Sequence, residues 1–274
     1  MAAIMEPRVD GGVAWVTIDH PPDHLVDAAF LTALATLLPA LEADAEVRVA
    51  VFRSADPDFF LMHGDVHGIL AIPAPGGAPV TEPNPAAALF QQLQESRLVT
   101  IGMLDGIARG GGAEFLAALD LRYASTRAVL GQPEVAMGIL PGAGGTTRLP
   151  RLLGRSKALE IILTGRDVDG TEAAAIGWVD AVVAPDELEP TVRRIAERIA
   201  TAPAAAIAAV KRVVDRSDPS IAHVLTEESA AFAELLDAGD HRRRMERFLA
   251  AGGQTRAAER GRIDPLLEAM AGDA

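Results

Sequence analysis

Two glycine-bearing segments contain the residue types of this chain that can do chemistry. The first runs Gly110-Gly-Gly-Ala-Glu114, and the second runs Gly131-Gln-Pro-Glu134, followed by glycines at 142, 144 and 145. Glycine lets a backbone approach a ligand closely because no Cβ intervenes, and N–H groups at a helix start stabilise developing negative charge. With two carboxylates nearby that can hold one water, this set predicts acid–base chemistry beside a carbonyl group.

The neighbouring residues indicate a functional role more strongly for Glu114 than for Glu134. Glu114 lies inside the run Ala113–Leu119, which is otherwise alanine, leucine and phenylalanine and leaves little polar face for a solvated carboxylate. A carboxylate in such surroundings is unfavourable unless it is paired or functional. Glu134 follows Pro133, which restricts Gln132 to an extended backbone and favours a rigid loop. On its own, a loop glutamate is more often simply solvated.

Other catalytic and binding motifs are absent from the sequence. There is no G-x-G-x-x-G fingerprint, no glycine-rich loop ending in Lys-Ser/Thr, no G-x-S-x-G elbow and no H-E-x-x-H. Histidines recur four residues apart at His20/His24 and His63/His67, a spacing that can hold a metal on a helix. Because Pro21-Pro22 forbids a helix in the first pair and Gly64 weakens one in the second, we expect no metal site.

Composition narrows the class of protein. The chain has 274 residues, 49% of them hydrophobic, no cysteine and a net charge of −13. The acidic balance disfavours nucleic acid and anionic membrane surfaces, and the lack of cysteine excludes disulfides and thiolate chemistry. No apolar run reaches the roughly 18 residues of a membrane span, and the N-terminus lacks the pattern of a signal peptide. We therefore expect a soluble, cytoplasmic protein.

Hydrophobic periodicity and breakers predict an α/β fold. Strands are expected at 13–18, 47–52, 99–104, 121–124, 128–130 and 178–183, with helices from Asp27 through Leu41 and over 110–119, 143–153 and 156–163. Beyond residue 187 the pattern is helical, over 187–201, 204–215, 220–237, 239–251 and 256–271. We therefore predict a core over residues 1–200 and a helical C-terminal region over 201–274. The proline-rich stretch 73–85 is either a mobile binding loop or a surface insertion.

These segments together resemble the crotonase superfamily, the enoyl-CoA hydratase/isomerase family. Asp105–Asp120 is similar to the family's second oxyanion segment, and Gly131–Leu149 is similar to its catalytic-loop segment. Thr164–Arg166 and Ala173–Val179 continue the resemblance, which covers roughly residues 12–250.

The resemblance implies a crotonase-like spiral of ββα turns, a helical C-terminal region that forms a homotrimer or a dimer of trimers, and a coenzyme A thioester as substrate, with no separate cofactor. It assigns the backbone N–H groups of Gly64 and Gly111 to the thioester oxygen, and Glu114 and Glu134 to acid–base catalysis. It also implies a set of residues that contact substrate or coenzyme A, namely His24, Leu25, Val26, Met62, His63, Asp65, Gly110 and Gly142.

The chain departs from the family pattern at the first oxyanion segment. Many members have Ala-Gly-Ala/Gly-Asp where this chain has Met62-His-Gly-Asp65, so His63 replaces a glycine and is expected to reshape the pocket. Near the start, His24–Asp27 stands where members often carry an asparagine.

The resemblance favours hydration of a 2-enoyl-CoA to a 3-hydroxyacyl-CoA, because both glutamates are present. Two alternatives remain open. A double-bond isomerase needs one base and no bound water, so it would tolerate loss of Glu114 better. A non-catalytic acyl-CoA binder would turn over no enoyl thioester at all.

Overall fold

Two sheets form the frame of the computed structural model, which describes residues 3–215 and 221–271. The first sheet has the spatial order β1 (Met5–Asp10), β2 (Val13–Ile18), β3 (Val49–Ser54), β5 (Val99–Leu104), β7 (Leu121–Ser125) and β10 (Ala181–Val183). The second has the order β4 (Phe59–Leu61), β6 (Ile107–Arg109), β8 (Val129–Gly131) and β9 (Val168–Asp169). The pairs β1/β2 and β8/β9 are antiparallel, and the remaining pairs are parallel.

From β3 to β8, consecutive strands alternate between the two sheets, and a helix follows each pair. The pairs β3–β4, β5–β6 and β7–β8 each place one strand in the first sheet and the next in the second. They are followed in turn by α2 (Val66–Ala71) with α3 (Pro85–Glu95), by α4 (Gly111–Ala118) and by α5 (Gly145–Leu153). This is a ββα repeat with parallel strands within each sheet. The predicted α/β, crotonase-like fold class is therefore confirmed.

The remaining helices flank these repeats and make up the end of the chain. They are α1 (Ala28–Ala43), α6 (Arg155–Thr164), α7 (Gly170–Ile176), α8 (Pro185–Ala200), α9 (Ala204–Asp215), α10 (Ile221–Ala238), α11 (Asp240–Ala250), α12 (Arg256–Glu259) and α13 (Asp264–Ala271). The division at residue 200 stays a prediction. Within the described ranges, no helix is both long enough and apolar enough to cross a membrane.

The largest apolar cluster is centred on α4 and holds that helix rigidly. All eight residues of α4 are buried. Phe115 makes edge-on contacts with Phe30, Phe52 and Phe90, at ring-centroid distances of 5.6, 5.3 and 5.5 Å. Such aromatic pairs add to the stabilisation that comes from area burial. Glu114, next in the chain to Phe115, therefore projects from an element with little freedom to move.

A second apolar cluster joins the C-terminal helices to the loop that carries Glu134. It contains Val66 from α2, Met137 and Ile139 from that loop, Leu236 from α10, and Met245 and Phe248 from α11, together with Ile263, Leu266 and Met270 at the end of the chain. The C-terminal helices therefore pack against the loop that carries Glu134, one of the two candidate acid–base residues.

The predicted helices and strands differ from the observed ones mainly where elements are short. Strands β1, β4, β6 and β9 and helices α2, α3 and α7 are absent from the prediction, since most span too few residues for periodicity to show. The proline-rich stretch is irregular only to Asn84, because Pro85 begins α3, a position that proline favours. The helix predicted over 256–271 is two helices, separated by residues 260–263 around Gly261.

Candidate active site

A cavity of about 390 Å³ opens between α4, the 133–143 loop, α2 and α10. Its walls are mostly apolar, and Ile69, Met137, Ile139 and Phe232 are among the side chains that form them. An apolar pocket of this size with a few converging polar groups is typical of small-molecule sites. The polar groups here include both glutamates singled out from the sequence, Glu114 and Glu134.

Two backbone N–H groups meet at one wall of this cavity. Gly111 is the first residue of α4, so its N–H has no acceptor within the helix. Gly64 lies opposite Val26 in an isolated parallel bridge. The Val26 N–H donates to the His63 carbonyl, and the Val26 carbonyl accepts from the Asp65 N–H. The bridge therefore does not use the Gly64 N–H. A Cβ placed on Gly111 would be 3.2 Å from the Gly64 nitrogen, so the two donors are neighbours.

Glu114 reaches across to the start of α5. Its Oε1 accepts hydrogen bonds of 2.7 Å from the N–H groups of Ala143 and Gly145, and the side chain is buried. Burial and, after it, the charge of Glu228 raise the pKa of Glu114 to about 8, although the two N–H groups act in the opposite direction. One oxygen of Glu114 is thus fixed by backbone donors, and a proton is retained more readily than on an exposed glutamate.

Glu134 also lines this cavity. The amide orientation of Gln132 that satisfies both side chains puts its nitrogen 3.1 and 2.9 Å from the two Glu134 oxygens. Burial and the charge of Glu114 raise the pKa of Glu134 well above its ordinary value. The charge of Glu114 therefore disfavours ionisation of Glu134, and the charge of Glu228 disfavours ionisation of both groups.

A third buried carboxylate, Glu228 of α10, was not identified from the sequence. It accepts hydrogen bonds from the N–H groups of Gly144 (2.7 Å) and Thr147 (3.0 Å) and from the hydroxyl groups of Thr146 and Thr147. A signal was available, because Glu228 falls on the same helical face as Leu225 and Phe232, where a solvated carboxylate is not expected.

Four of the other predicted contact residues line the cavity, namely Val26, His63, Asp65 and Gly142. Gly110 forms the N-cap of α4, with φ +50°, and lies directly behind Glu134, since a Cβ there would be 2.7 Å from Glu134 Oε1.

His24, Leu25 and Met62 are not among the residues that line the cavity. His24 is buried, with its Nδ1 3.3 Å from the hydroxyl oxygen of Ser54, and Met62 is buried with Phe59 and Ile107. Their assignment to coenzyme A binding stays a prediction. In the described part of the chain, no three His, Asp or Glu side chains come close enough to hold a metal ion.

Comparison with known proteins shows similarity over most of the chain. Residues 8–254 match the family model described as enoyl-CoA hydratase/isomerase. The chain is 32% identical over 242 residues to the short-chain-enoyl-CoA hydratase of Clostridium acetobutylicum, an alignment that covers 88% of this chain and 92% of that protein.

Solved structures show the same similarity in three dimensions. A Streptomyces avermitilis protein named as a candidate enoyl-CoA hydratase superposes with a TM-score of 0.88, at 36% identity and with 100% of both chains covered. An enoyl-CoA hydratase from Bacillus anthracis superposes with a TM-score of 0.73, at 26% identity, covering 90% of this chain and 96% of that one. The chain therefore belongs to the enoyl-CoA hydratase/isomerase family, within the crotonase superfamily, and is an enzyme of that superfamily.

Proposed function

We propose that the protein is an enoyl-CoA hydratase, which adds water across the 2,3 double bond of a 2-enoyl-CoA thioester to give a 3-hydroxyacyl-CoA. The observation that carries this proposal is the placement of two buried carboxylates with raised pKa on the same cavity as two adjacent N–H groups. The names of the C. acetobutylicum and B. anthracis relatives support it.

In the proposed reaction, the N–H groups of Gly64 and Gly111 donate hydrogen bonds to the thioester oxygen as it gains enolate character. Loss of one such donor typically reduces a rate by about 10²–10³. The position of Gly111 at the start of α4 adds the positive end of the helix dipole to the same point. The substrate supplies the coenzyme A, and no further cofactor takes part in the proposed mechanism.

Glu114 and Glu134 orient one water molecule and move its protons. One carboxylate takes a proton from the water as oxygen bonds to the β-carbon, and Glu134 delivers a proton to the α-carbon. The raised pKa of each group suits this division of labour, because a carboxyl group whose pKa lies nearer the working pH can both take up and release a proton. Acid–base help of this kind contributes roughly 10²–10⁴ in rate.

The remaining assignments belong to the same proposal. His24, Leu25, Val26, Met62, His63, Asp65, Gly110 and Gly142 form the contact region for the coenzyme A thioester. The active form is a homotrimer or a dimer of trimers, and the protein acts in the cytoplasm.

Replacement of either glutamate by glutamine tests the reaction. Glu114→Gln keeps an Oε1 atom for the Ala143 and Gly145 N–H groups, so we expect the fold to survive. Hydration of crotonyl-CoA, followed with identification of the product, should fall at least about 10²-fold in Glu114→Gln and in Glu134→Gln. Glu246→Gln, at an exposed position of α11, is the matched control.

Three results would contradict the proposal. Near-wild-type hydration in either glutamine variant would remove that glutamate from the mechanism. If the protein moves the double bond of a 3-enoyl-CoA without hydrating it, and Glu114→Gln retains this activity, the protein is an isomerase. No turnover of any enoyl thioester by the wild-type protein would identify a binder.

A further inference from the structure

His63 is buried beside the proposed oxyanion site and has an acceptor at each ring nitrogen. Its Nδ1 lies 2.8 Å from the Gly64 carbonyl oxygen, and its Nε2 lies 2.9 Å from Glu259 Oε1. A carbonyl oxygen and a carboxylate both accept hydrogen bonds, whereas a neutral imidazole has only one N–H to donate. Both contacts are satisfied when the ring carries a proton on each nitrogen, which makes His63 an imidazolium.

The surroundings of Glu259 favour its ionised form. This fully buried carboxylate of α12 accepts a second hydrogen bond at Oε1, 3.0 Å from the Gln254 nitrogen. Its Oε2 lies 3.5 Å from Arg109 Nη1 and, among the described residues, has no hydrogen-bond donor. Arg109 in turn forms a bidentate ion pair with Asp167, at 2.8 Å for each contact. The cluster thus combines two cations with two anions.

The charged groups around His63 act in opposite directions on its ionisation. Burial lowers the pKa of His63, but the charge and hydrogen bond of Glu259 more than offset this, and the net pKa is raised despite Arg109. The charged groups around it are Glu259 from α12, Arg109 from β6 and Glu134, whose Oε1 lies near the same Gly110 position as the His63 Cβ. The Phe248 ring of α11 closes the remaining side at 5.4 Å.

The contacts of His63 fix the peptide groups on both sides of Gly64. The Gly64 carbonyl accepts from the His63 ring, and the His63 carbonyl accepts from the Val26 N–H at 3.1 Å. With both flanking peptide planes held, the Gly64 N–H has one direction, beside the Gly111 N–H. The imidazolium also places a positive charge within the same segment.

We propose that His63 is a positioning residue that, as an imidazolium paired with Glu259, holds the Gly64 N–H toward the thioester oxygen and stabilises negative charge there. This rests on the proposed function for its catalytic consequence, but the protonation state and the polarisation of a bound thioester are measurable without turnover.

The first experiment measures the protonation of His63 directly. Nitrogen NMR of the full chain, labelled in its histidine rings and without ligand, gives the state of each ring, and His63→Asn identifies the signal. We expect both His63 nitrogens to be protonated at pH 7.5 and the signal to become that of a neutral ring in Glu259→Gln. A neutral His63 in the wild-type protein would overturn the proposal.

The second experiment measures what the charge does to a bound thioester. Binding at the oxyanion site shifts the absorption of a conjugated arylacryloyl-CoA to longer wavelength, because the carbonyl is polarised. His63→Asn retains a donor near the Gly64 carbonyl but loses the charge, and Glu259→Gln retains the shape of its partner. We expect the shift to fall by about half and kcat to fall about tenfold in both variants, with KM within twofold.

The control is His67→Asn, at an exposed position of α2 four residues away. If wild-type protein hydrates no enoyl thioester, the proposed function fails, while the NMR and absorption results still decide the role of His63. The proposed role of His63 would be overturned if Glu259→Gln showed the wild-type absorption shift and the wild-type kcat. Thermal melting checks that this variant is folded. Should His63→Asn fail to fold, Glu259→Gln and the NMR measurement decide alone.

Discussion

At the scale of single residues, the carboxyl group of Glu114 is placed by two backbone N–H groups in an apolar interior. The hydrogen bonds from Ala143 and Gly145 fix one oxygen at 2.7 Å and stabilise the anion, while burial favours the acid. Because burial has the larger effect, the group keeps its proton at a pH where an exposed glutamate has lost it. The raised pKa suits Glu114 to proton transfer. It also makes the folded protein less stable at high pH.

The raised pKa predicts that the free energy of unfolding falls as the pH rises. Between about pH 4.5, the ordinary value, and pH 8, the folded protein holds a proton on Glu114 that the unfolded chain has released. More protons bound in the folded state mean that stability decreases with pH across this window. Glu114→Gln lacks that titration, so it should gain at least about 1–2 kcal/mol relative to wild type between pH 5.5 and pH 9.

Urea unfolding at the two pH values measures this difference. Glu246→Gln, exposed on α11, controls for the loss of one negative charge from an acidic chain. If the stabilities of Glu114→Gln and wild type change in parallel between pH 5.5 and pH 9, Glu114 ionises at its ordinary pKa and the argument from burial is wrong.

At the scale of elements, the start of α5 links the C-terminal region to the candidate site. Glu228 of α10 accepts from Gly144 and from the two threonines of the first turn, and so acts as an N-cap supplied by another helix. The same turn presents the N–H groups that hold Glu114. A change on α10 is therefore transmitted to Glu114 through one turn of backbone.

Glu228→Gln is expected to weaken this cap. One of the two acceptor oxygens becomes an amide nitrogen, which cannot accept from Gly144 or from the two threonines, so the free energy of unfolding should fall by about 1–2 kcal/mol. Since the Glu228 charge raises the pKa of Glu114, its removal should also move the alkaline limb of the pH–rate profile to lower pH. Glu227→Gln, at an exposed neighbouring position that pairs with His223, is the matched control. Unchanged stability and an unchanged alkaline limb would show that Glu228 does not act on α5.

Long helices can be predicted from the sequence, whereas the short strands and the long-range contacts that form the site cannot. Asp27 caps α1 as its side chain suggests, accepting from Phe30 at 2.8 Å, and α9 and α10 lie within one residue of expectation. Strands such as β6, three residues long, carry no periodicity of their own, and their pairing to β4 and β8 comes from tertiary contact. Short strands are therefore visible only once the sheets form.

The candidate site shows the same division. Glu114 stood out because its neighbours are apolar, which is a local property. The link from His63 to Glu259 spans 196 positions, and the cap from Glu228 to Thr147 spans 81, so neither can be found from spacing along the chain. Each required the C-terminal helices to be placed against the core.

At the scale of the whole molecule, the outer face of α9 is unusually apolar. Lys211 ties this helix to the rest of the chain through Asp120, 2.6 Å away, and the Leu98 carbonyl. Val210 and Val213, by contrast, are 64% and 66% exposed. Exposed valines on one helical face are typical of a surface covered by another protein. The apolar face supports the proposed homotrimer, with a second copy of the chain as the covering partner.

A charge on this face should disrupt assembly. For a 28.7 kDa chain, sedimentation of the wild-type protein should give a mass of about 86 kDa for a trimer or about 172 kDa for a dimer of trimers. Val213→Glu places a carboxylate where burial is expected, at a cost of several kcal/mol per subunit, so its mass should fall toward that of one chain at micromolar concentration. Val9→Glu, on the exposed strand β1, is the matched control and should retain the wild-type mass. A wild-type mass of 28.7 kDa would contradict the oligomer, whereas an unchanged mass in Val213→Glu would place the subunit contact elsewhere on the surface.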